Sequence, residues 1–183
     1  MIEIPLSRAM HIISPRLTVL VNTLDGNRYL NSAPYGWIYP LSFNPPLVGV
    51  GIGGKHKHTY INSKKTGEFV ICVVSEDFGQ QAVDCEERHE SRENLLEKHG
   101  LHTEASKKVK VPRVREAKAI LECKVRQFME FEGDHSILVG EVVYAEAEGE
   151  RGEPDLDKIR PLLHHDGEKF RKIGREIILK RRL

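Results

Sequence analysis

Short apolar runs and partial alternation of apolar and polar positions dominate this chain, and both patterns predict β-strands. Two continuous apolar runs predict buried strands at 47–52 and 69–74. Further strands are predicted at 16–24, 28–31, 119–131, 136–147 and 169–173. A tight turn is predicted at Asp25-Gly26, so that the second strand of this hairpin delivers Asn31 to a loop.

Three segments between these strands carry helix signals. Residues 58–65 have helical spacing, and residues 77–88 and 91–99 predict two shorter helices, the last with Ser91 as N-cap and Gly100 as its stop. The fold class predicted is therefore mainly β with inserted helices. Tight turns between strands favour a closed antiparallel barrel of six or seven strands over a parallel sheet, because closure removes exposed strand edges.

The composition fits a single domain over residues 1–183. The chain is 39% hydrophobic and 30% charged, which describes a globular protein with one sizeable core. Its formal net charge of +1 gives no overall electrostatic reason to expect nucleic-acid or membrane binding. No apolar run approaches the roughly 18 residues of a membrane helix, and no stretch of signal-peptide length opens the chain. A cytoplasmic location is predicted.

Cysteines and histidines give no metal or disulfide pattern. Cys72, Cys85 and Cys123 are widely spaced, which supports neither a disulfide framework nor a C-x-x-C pair. Cys72 and Cys123 lie in apolar runs and are expected in the core, whereas Cys85 lies among charges and is interpreted as an ordinary helical cysteine in preference to a reactive one. The nine histidines form no H-E-x-x-H motif, so no metal site is predicted.

The candidate chemistry lies between residues 31 and 59. A small-residue segment, Asn31-Ser-Ala-Pro, precedes a buried strand that ends in Gly53-Gly-Lys-His-Lys-His-Thr59, just before a predicted helix. Glycines let backbone N–H groups approach an anion, Lys55 and Lys57 bring charge, and a helix start presents unpaired N–H groups. The pattern predicts a mononucleotide phosphate site, although a turn with a solvated face has the same composition. It matches neither the P-loop nor the G-x-G-x-x-G motif.

Three groups of residues carry a family resemblance. The first comprises Asn31-Ser-Ala, Trp37, Pro40, Ser42-Phe, Pro45-Pro46, Lys57, Thr59 and Thr66-Gly-Glu-Phe69. The other two are Gly133-Asp-His-Ser-Ile-Leu-Val-Gly-Glu-Val142 and Arg160-Pro-Leu-Leu-His-His-Asp-Gly-Glu-Lys-Phe170. Together they resemble the flavin reductase-like family, the FMN-binding split barrels that include flavoredoxins, archaeal ferric reductases and the reductase partners of two-component monooxygenases. The resemblance implies a six-stranded antiparallel split β-barrel, an FMN cofactor and a homodimer with FMN near the subunit interface.

The resemblance also implies roles for particular residues. The cofactor-binding set expected from it is Asn31, Ser32, Ala33, Trp37, Ser42, Lys57, His58, Thr59 and Phe170. Residues 31–33 are expected to form a loop whose backbone reaches the edge of the isoalloxazine ring, and Lys57 and Thr59 to hold the phosphate. On physical grounds alone, Trp37 is as well explained as a core or interface anchor, and Phe170 as a packing residue.

His135 is the expected catalytic residue. The resemblance places it near the flavin and the nicotinamide, where imidazole can donate a hydrogen bond to the substrate amide or stabilise charge on the reduced ring. A hairpin histidine packed on its neighbours is the alternative. The remaining histidines discussed, including the pair His164-His165, are expected at the surface or in loops. Some relatives carry a lysine near the flavin where this chain has Leu95, with Lys98 one turn later, so a cationic contact to the ring is in doubt.

The function implied is an FMN-binding oxidoreductase that accepts hydride from NADH or NADPH and passes electrons to a small-molecule or protein acceptor, such as free flavin or a ferric chelate. A flavoredoxin-like electron carrier without an efficient NAD(P)H reaction is the first alternative. A nucleic-acid-binding barrel is more distant, because the basic stretches at 107–118 and 171–182 lack the interleaved aromatic residues that stack on bases. Neither nucleic acid nor membrane is expected as a partner.

Overall fold

A computed structural model describes residues 1–87 and 93–179, and this part of the chain is mainly β with inserted helices, as predicted. Its strands are β1 (Arg16–Leu17), β2 (Val19–Leu24), β3 (Leu30–Tyr35), β4 (Ile38–Phe43), β5 (Pro46–Gly53), β6 (Glu68–Val73), β7 (Thr103–Glu104), β8 (Arg113–Val114), β9 (Ala119–Glu130), β10 (His135–Ala147), β11 (Gly149–Glu150), β12 (Glu153–Pro154), β13 (Leu162–Asp166) and β14 (Lys169–Lys172). Its helices are an N-terminal 3-10 helix (Leu6–Ile13), α1 (His58–Thr66), α2 (Gly79–Asp84), α3 (Leu95–Lys98) and α4 (Leu156–Ile159).

Seven strands form one antiparallel sheet in the order β3-β2-β6-β9-β10-β5-β4, and β1, β13 and β14 form a smaller one. The predicted number of six strands is wrong because β4 was missed. Its Pro40 argues against a strand in the sequence, but β4 is an edge strand, where a proline costs no ladder hydrogen bond. In the described chain no strand pairing joins β3 to β4, and closure of the barrel stays a prediction.

The predicted loop at residues 31–33 is also wrong, because Asn31, Ser32 and Ala33 lie inside β3. Asn31 and Ser32 are buried, and their polar side chains have partners on neighbouring elements. The Ser32 hydroxyl donates to Asn22 Oδ1 across the β2–β3 pair at 2.7 Å. Asn and Ser are typical turn residues, so a sequence that contains them suggests a loop. Here their hydrogen-bond partners lie on other strands and helices, and the sequence alone does not show that these residues are buried and paired.

The core has two parts, one on each face of the sheet. Successive residues of β2 and β6 point to opposite faces of the sheet. The set that includes Leu20 and Cys72 packs against α2 and α3. The set that includes Val21 and Ile71 packs against α1, β5 and β10. Cys72 and Cys123 are buried in these clusters, as predicted, and Cys85 is buried beside α2. Leu95 of α3 is only 2% exposed and belongs to the first cluster.

The helix predictions are confirmed in position but not in length. Helix α1 covers the predicted segment, whereas α2 and α3 are shorter than predicted. Gly100 stops α3 as expected: it has φ of 75° and its N–H donates to Glu97 O at 3.1 Å. The predicted N-cap Ser91 and the predicted helix end at Arg88 lie outside the described residues. Within the described chain, no helix combines the length and the apolar character needed to cross a membrane.

Candidate functional site

Two adjoining cavities lie beside β3. The loop cavity, of about 530 Å³, is lined by Asn31, Ala33, His56, Lys57, His58 and Thr59 and, on the facing side, by residues 85–87. The aromatic cavity, of about 550 Å³, is lined by Arg16, Thr18, Trp37, His164, Glu168 and Phe170, among others. Pro34, Tyr35 and Glu86 line both cavities, so the two form one elongated cleft. Because β3 is an edge strand, alternate backbone N–H and C=O groups on its outer side have no strand partner.

The loop cavity ends at the N-terminus of α1. This helix has nine residues and begins directly after Lys57, which is exposed at the N-cap position. The first N–H groups of a helix have no partner inside the helix and attract anions. A cation and a helix start therefore converge on this end of the cleft, as the sequence predicted.

Thr59 is held by a buried polar network behind the loop. Its side chain is almost completely buried, and its hydroxyl accepts a hydrogen bond from Asn31 Nδ2 at 3.1 Å. The same amide lies 3.4 Å from Thr23 Oγ1, to which Asn62 Nδ2 also donates at 3.3 Å. Burial raises the pKa of Tyr35, and a hydrogen bond with Thr59 opposes that rise. The network fixes the start of α1 against β2 and β3.

The two lysines of the glycine-rich loop have different environments. Lys55 forms an ion pair with Glu130 of β9 at 2.5 Å, and Tyr60 donates to the other oxygen of that carboxylate at 2.8 Å. The hydrogen bond from Lys55 holds the pKa of Glu130 below its usual range. Lys55 therefore ties the loop to the β9–β10 hairpin, whereas Lys57 lines the cavity.

Glycines on β5 set the position of Trp37. A Cβ atom on Gly51 would lie 2.9 Å from Trp37 Cβ, so this position needs the small residue, and one on Gly53 would make a close contact of 3.2 Å with His135 Nε2. The space lets the Trp37 ring stack on the His135 ring, with centroids 4.3 Å apart and planes inclined by 18°. The alternating glycines of β5 are the sequence signal that could have predicted this stack.

His135 begins β10, as predicted, and its Nδ1–H donates to Asp134 Oδ1 at 2.6 Å. This hydrogen bond lowers the pKa of Asp134. His135 does not line either cavity directly; Trp37, whose ring it contacts, is the wall between it and the aromatic cavity.

The aromatic cavity contains residues that sequence reasoning missed. His164 was expected at the surface or in a loop, but it lies in β13, lines this cavity and contacts the Phe170 ring at a centroid distance of 5.1 Å. Arg16 and Thr18 were assigned only to the strand predicted at 16–24, and no signal in that segment marked them as site residues.

Three other predicted positions line neither cavity, and one of them is Ser32, which is buried in β3. Ser42 faces a separate apolar groove of about 290 Å³, beside Ile38 and Leu47, and the structure does not bring it to the cavities. Lys98 does not replace the cation lost at Leu95, because it pairs with Glu87 at 2.6 Å and Glu93 at 2.8 Å.

Thiol and metal chemistry have little support in the described chain. Burial raises the pKa of the Cys85 thiol to about 12, so this wall of the loop cavity carries a neutral thiol. Among residues 1–87 and 93–179, no group of three or more His, Cys, Asp or Glu side chains could hold a metal ion.

The cleft fits an elongated ligand with an anionic end and a flat ring. One end offers Lys57 and the start of α1 to the anion. The other end has aromatic walls and a Thr18 hydroxyl that is buried without a hydrogen-bond partner in the described chain. Buried polar groups are normally satisfied, so an unpaired hydroxyl in a cavity wall indicates a ligand atom or an ordered water there. FMN has this shape and these groups.

Comparison with known proteins gives consistent results. A family model described as "Flavin reductase like domain" matches residues 11–174. An uncharacterized protein of Archaeoglobus fulgidus is 38% identical over 152 residues, which cover 81% of this chain and 82% of that protein. The structure is similar to nitrilotriacetate monooxygenase component B from Bacillus cereus, with TM-score 0.89, 25% identity and 98% of both chains covered.

Two further solved structures share the fold. Flavoredoxin of Desulfovibrio vulgaris (Miyazaki F) superposes with TM-score 0.85 at 22% identity, over 98% of this chain and 97% of that one. An FMN-binding protein from Thermus thermophilus superposes with TM-score 0.74 at 23% identity, over 98% of both chains.

Proposed function

This chain belongs to the flavin reductase-like family, and from that premise we propose that it is an FMN-binding oxidoreductase that accepts hydride from NADH or NADPH. It passes the electrons to a second acceptor, which is a small molecule such as free flavin or a ferric chelate, or a partner protein. The observation that carries the proposal is the cleft along β3, which joins a cationic helix start to an aromatic cavity.

The phosphate of FMN lies at the loop cavity in this proposal. Lys57 and the first N–H groups of α1 bind it, and the Thr59 hydroxyl, positioned by Asn31, completes the site. On the open edge of β3, the backbone groups of alternate residues offer donors and acceptors to the ring. His58 lies at the first position of α1 and lines the same cavity.

When bound, FMN supplies the hydride- and electron-transfer chemistry, and the protein supplies binding, orientation and electrostatics. Trp37 and Phe170 form walls of the cavity that holds the ring. His135 is fixed by its contacts with Asp134 and Trp37. With Nδ1 bonded to Asp134, Nε2 is the ring nitrogen left for a substrate amide, and in this proposal it contacts a nucleotide outside the two cavities, on the His135 side of Trp37.

The partners follow from the same proposal. We propose a homodimer, because Phe43 is 95% exposed and Leu41 is 43% exposed next to the apolar groove of β4 and β5. We also propose that the protein works in the cytoplasm and does not bind nucleic acid. Arg113, in the first basic stretch, already pairs with Glu104 at 2.7 Å and Glu146 at 2.9 Å. Such pairing leaves fewer free cations for phosphates.

A flavoredoxin-like electron carrier is the second candidate. The observation that favours it is the burial of Leu95 together with the pairing of Lys98 to two carboxylates, which leaves no lysine from α3 free for the ring or the nicotinamide. A carrier of this kind binds FMN but reacts poorly with NADH and NADPH.

One anaerobic experiment tests both candidates. The purified protein is reconstituted with FMN, freed of unbound cofactor and mixed with NADH or NADPH, and the yellow absorbance is followed by stopped flow. A retained yellow colour that either nucleotide bleaches supports the reductase. Colour that dithionite bleaches but both nucleotides leave unchanged supports the carrier. A colourless protein after reconstitution refutes both candidates.

A further inference from the structure

The aromatic cavity has two buried polar atoms without a partner. Thr18 is 3% exposed, and its Oγ1 has no hydrogen bond in the described chain. The Nε atom of Arg16 is likewise buried without a partner, and both residues line the cavity. Two unpaired donors beside one cavity indicate acceptor atoms there, on a ligand or on ordered water.

Arg16 is held rigidly at this place. Its Nη1 donates to the carbonyl oxygens of Met10 and Ile13, at 3.2 and 3.4 Å, at the end of the N-terminal 3-10 helix. Its guanidinium carbon lies 5.7 Å from the centroid of the Trp37 ring. These contacts orient the guanidinium while they leave its Nε without a partner.

Arg16 has no ion-pair partner among the described residues. Glu86 and Glu168 line the same cavity, but across residues 1–87 and 93–179 no carboxylate forms an ion pair with Arg16. Among the described residues that line the aromatic cavity, Arg16 is the one arginine, and no lysine joins it. By contrast, Lys98 of α3 is paired with two glutamates.

We propose that Arg16 and Thr18 bind the acceptor edge of the flavin ring, and that Arg16 supplies the cationic contact which Leu95 cannot. The inference rests on the proposed function, since FMN is the ligand. The pyrimidine edge of the ring carries two carbonyl oxygens and one ring nitrogen, N1, that accept hydrogen bonds, whereas its N3–H donates. A guanidinium beside this edge stabilises the negative charge that the ring gains on reduction, and it therefore raises the reduction potential.

The test compares wild type with Arg16→Gln, Arg16→Lys and Thr18→Val, each loaded with FMN. Arg28→Gln, in the β2–β3 turn outside both cavities, is the control for loss of one positive charge. The midpoint potential of bound FMN is measured by anaerobic titration against a reference dye, and the dissociation constants of FMN and riboflavin by fluorescence quenching.

Arg16→Gln should weaken binding of the reduced ring relative to the oxidised ring by about tenfold, which corresponds to about 30 mV for a two-electron couple. Arg16→Lys should recover most of this shift, and Arg28→Gln should leave the potential at the wild-type value. Thr18→Val should weaken FMN and riboflavin equally, by about threefold to tenfold, because it removes a contact to the ring they share.

Two results would overturn the inference while the proposed function stands: an unchanged potential in Arg16→Gln, or a wild-type affinity for riboflavin in Thr18→Val. If Arg16→Gln does not fold, Thr18→Val decides, and a wild-type affinity for riboflavin in that variant overturns the inference. A wild-type protein that binds no FMN overturns the inference and the proposed function together.

Discussion

Lys57→Met provides the most direct test of the proposed phosphate site, because Lys55 offers a matched control two residues earlier in the same loop. Lys57 lines the loop cavity at the start of α1. Lys55 is also exposed but is paired with Glu130 outside that cavity. The two substitutions remove the same charge and the same chain length, but Lys55→Met also leaves Glu130 without its lysine partner, so the comparison uses the ratio of FMN affinity to riboflavin affinity in each variant.

The size of the effect follows from the exposure of Lys57. At about 4 Å, a unit charge pair is worth about 1 kcal/mol in water and about 4 kcal/mol at the effective dielectric constant near a protein surface. An exposed side chain lies toward the lower value, so about 1–2 kcal/mol is expected, or a rise of about fivefold to thirtyfold in the Kd of FMN. Riboflavin lacks the phosphate and should change by less than about twofold.

The assay is fluorescence titration of both ligands with wild type, Lys57→Met and Lys55→Met at two salt concentrations. The FMN-specific loss in Lys57→Met should shrink as salt rises, since exposed charges are screened over about 8 to 10 Å. Lys55→Met should leave the ratio of the two affinities within about twofold of wild type. Equal losses of FMN and riboflavin in Lys57→Met, or the same FMN-specific loss in both variants, would refute the assignment.

Four further predictions address other parts of the structure. His135→Ala should slow anaerobic flavin reduction by about tenfold or more without changing FMN affinity, measured by stopped flow; an unchanged rate would make it a packing residue. Gly51→Ala should lower the free energy of unfolding, measured by urea denaturation, by about 1–3 kcal/mol, because its Cβ would lie 2.9 Å from the tryptophan side chain. Gly133→Ala is the control and should leave this free energy unchanged, because a Cβ there would meet no atom. Burial favours the neutral thiol and raises the pKa values of Cys72 and Cys85 to about 12. Ellman's reagent at pH 8 should therefore label the cysteines only after the protein is unfolded. Rapid labelling of the native protein would contradict this prediction. RNA and DNA should bind only weakly, in low salt, and tight binding at physiological salt would restore the nucleic-acid hypothesis.

The sequence by itself determined the local elements and the cationic end of the cleft. Hydrophobic runs located the buried strands, and the glycine-rich loop before α1 predicted Lys57 beside a helix start. These features depend on residues that are neighbours in the chain, and local periodicity and helix-boundary chemistry record them. The family resemblance came from the same short motifs and is confirmed.

Only the tertiary structure decided which residues meet at the ring end of the cleft. Arg16 of β1, Thr18 in the connection between β1 and β2, and His164 of β13 all line the aromatic cavity, and the long separation in sequence between the first two and His164 gives no sign of a shared site. Ser42 shows the reverse case: it lies close in sequence to Trp37, but it faces another groove. Successive strand residues alternate between faces and register sets their neighbours, so contact across a sheet depends on strand pairing that spacing along one chain does not reveal.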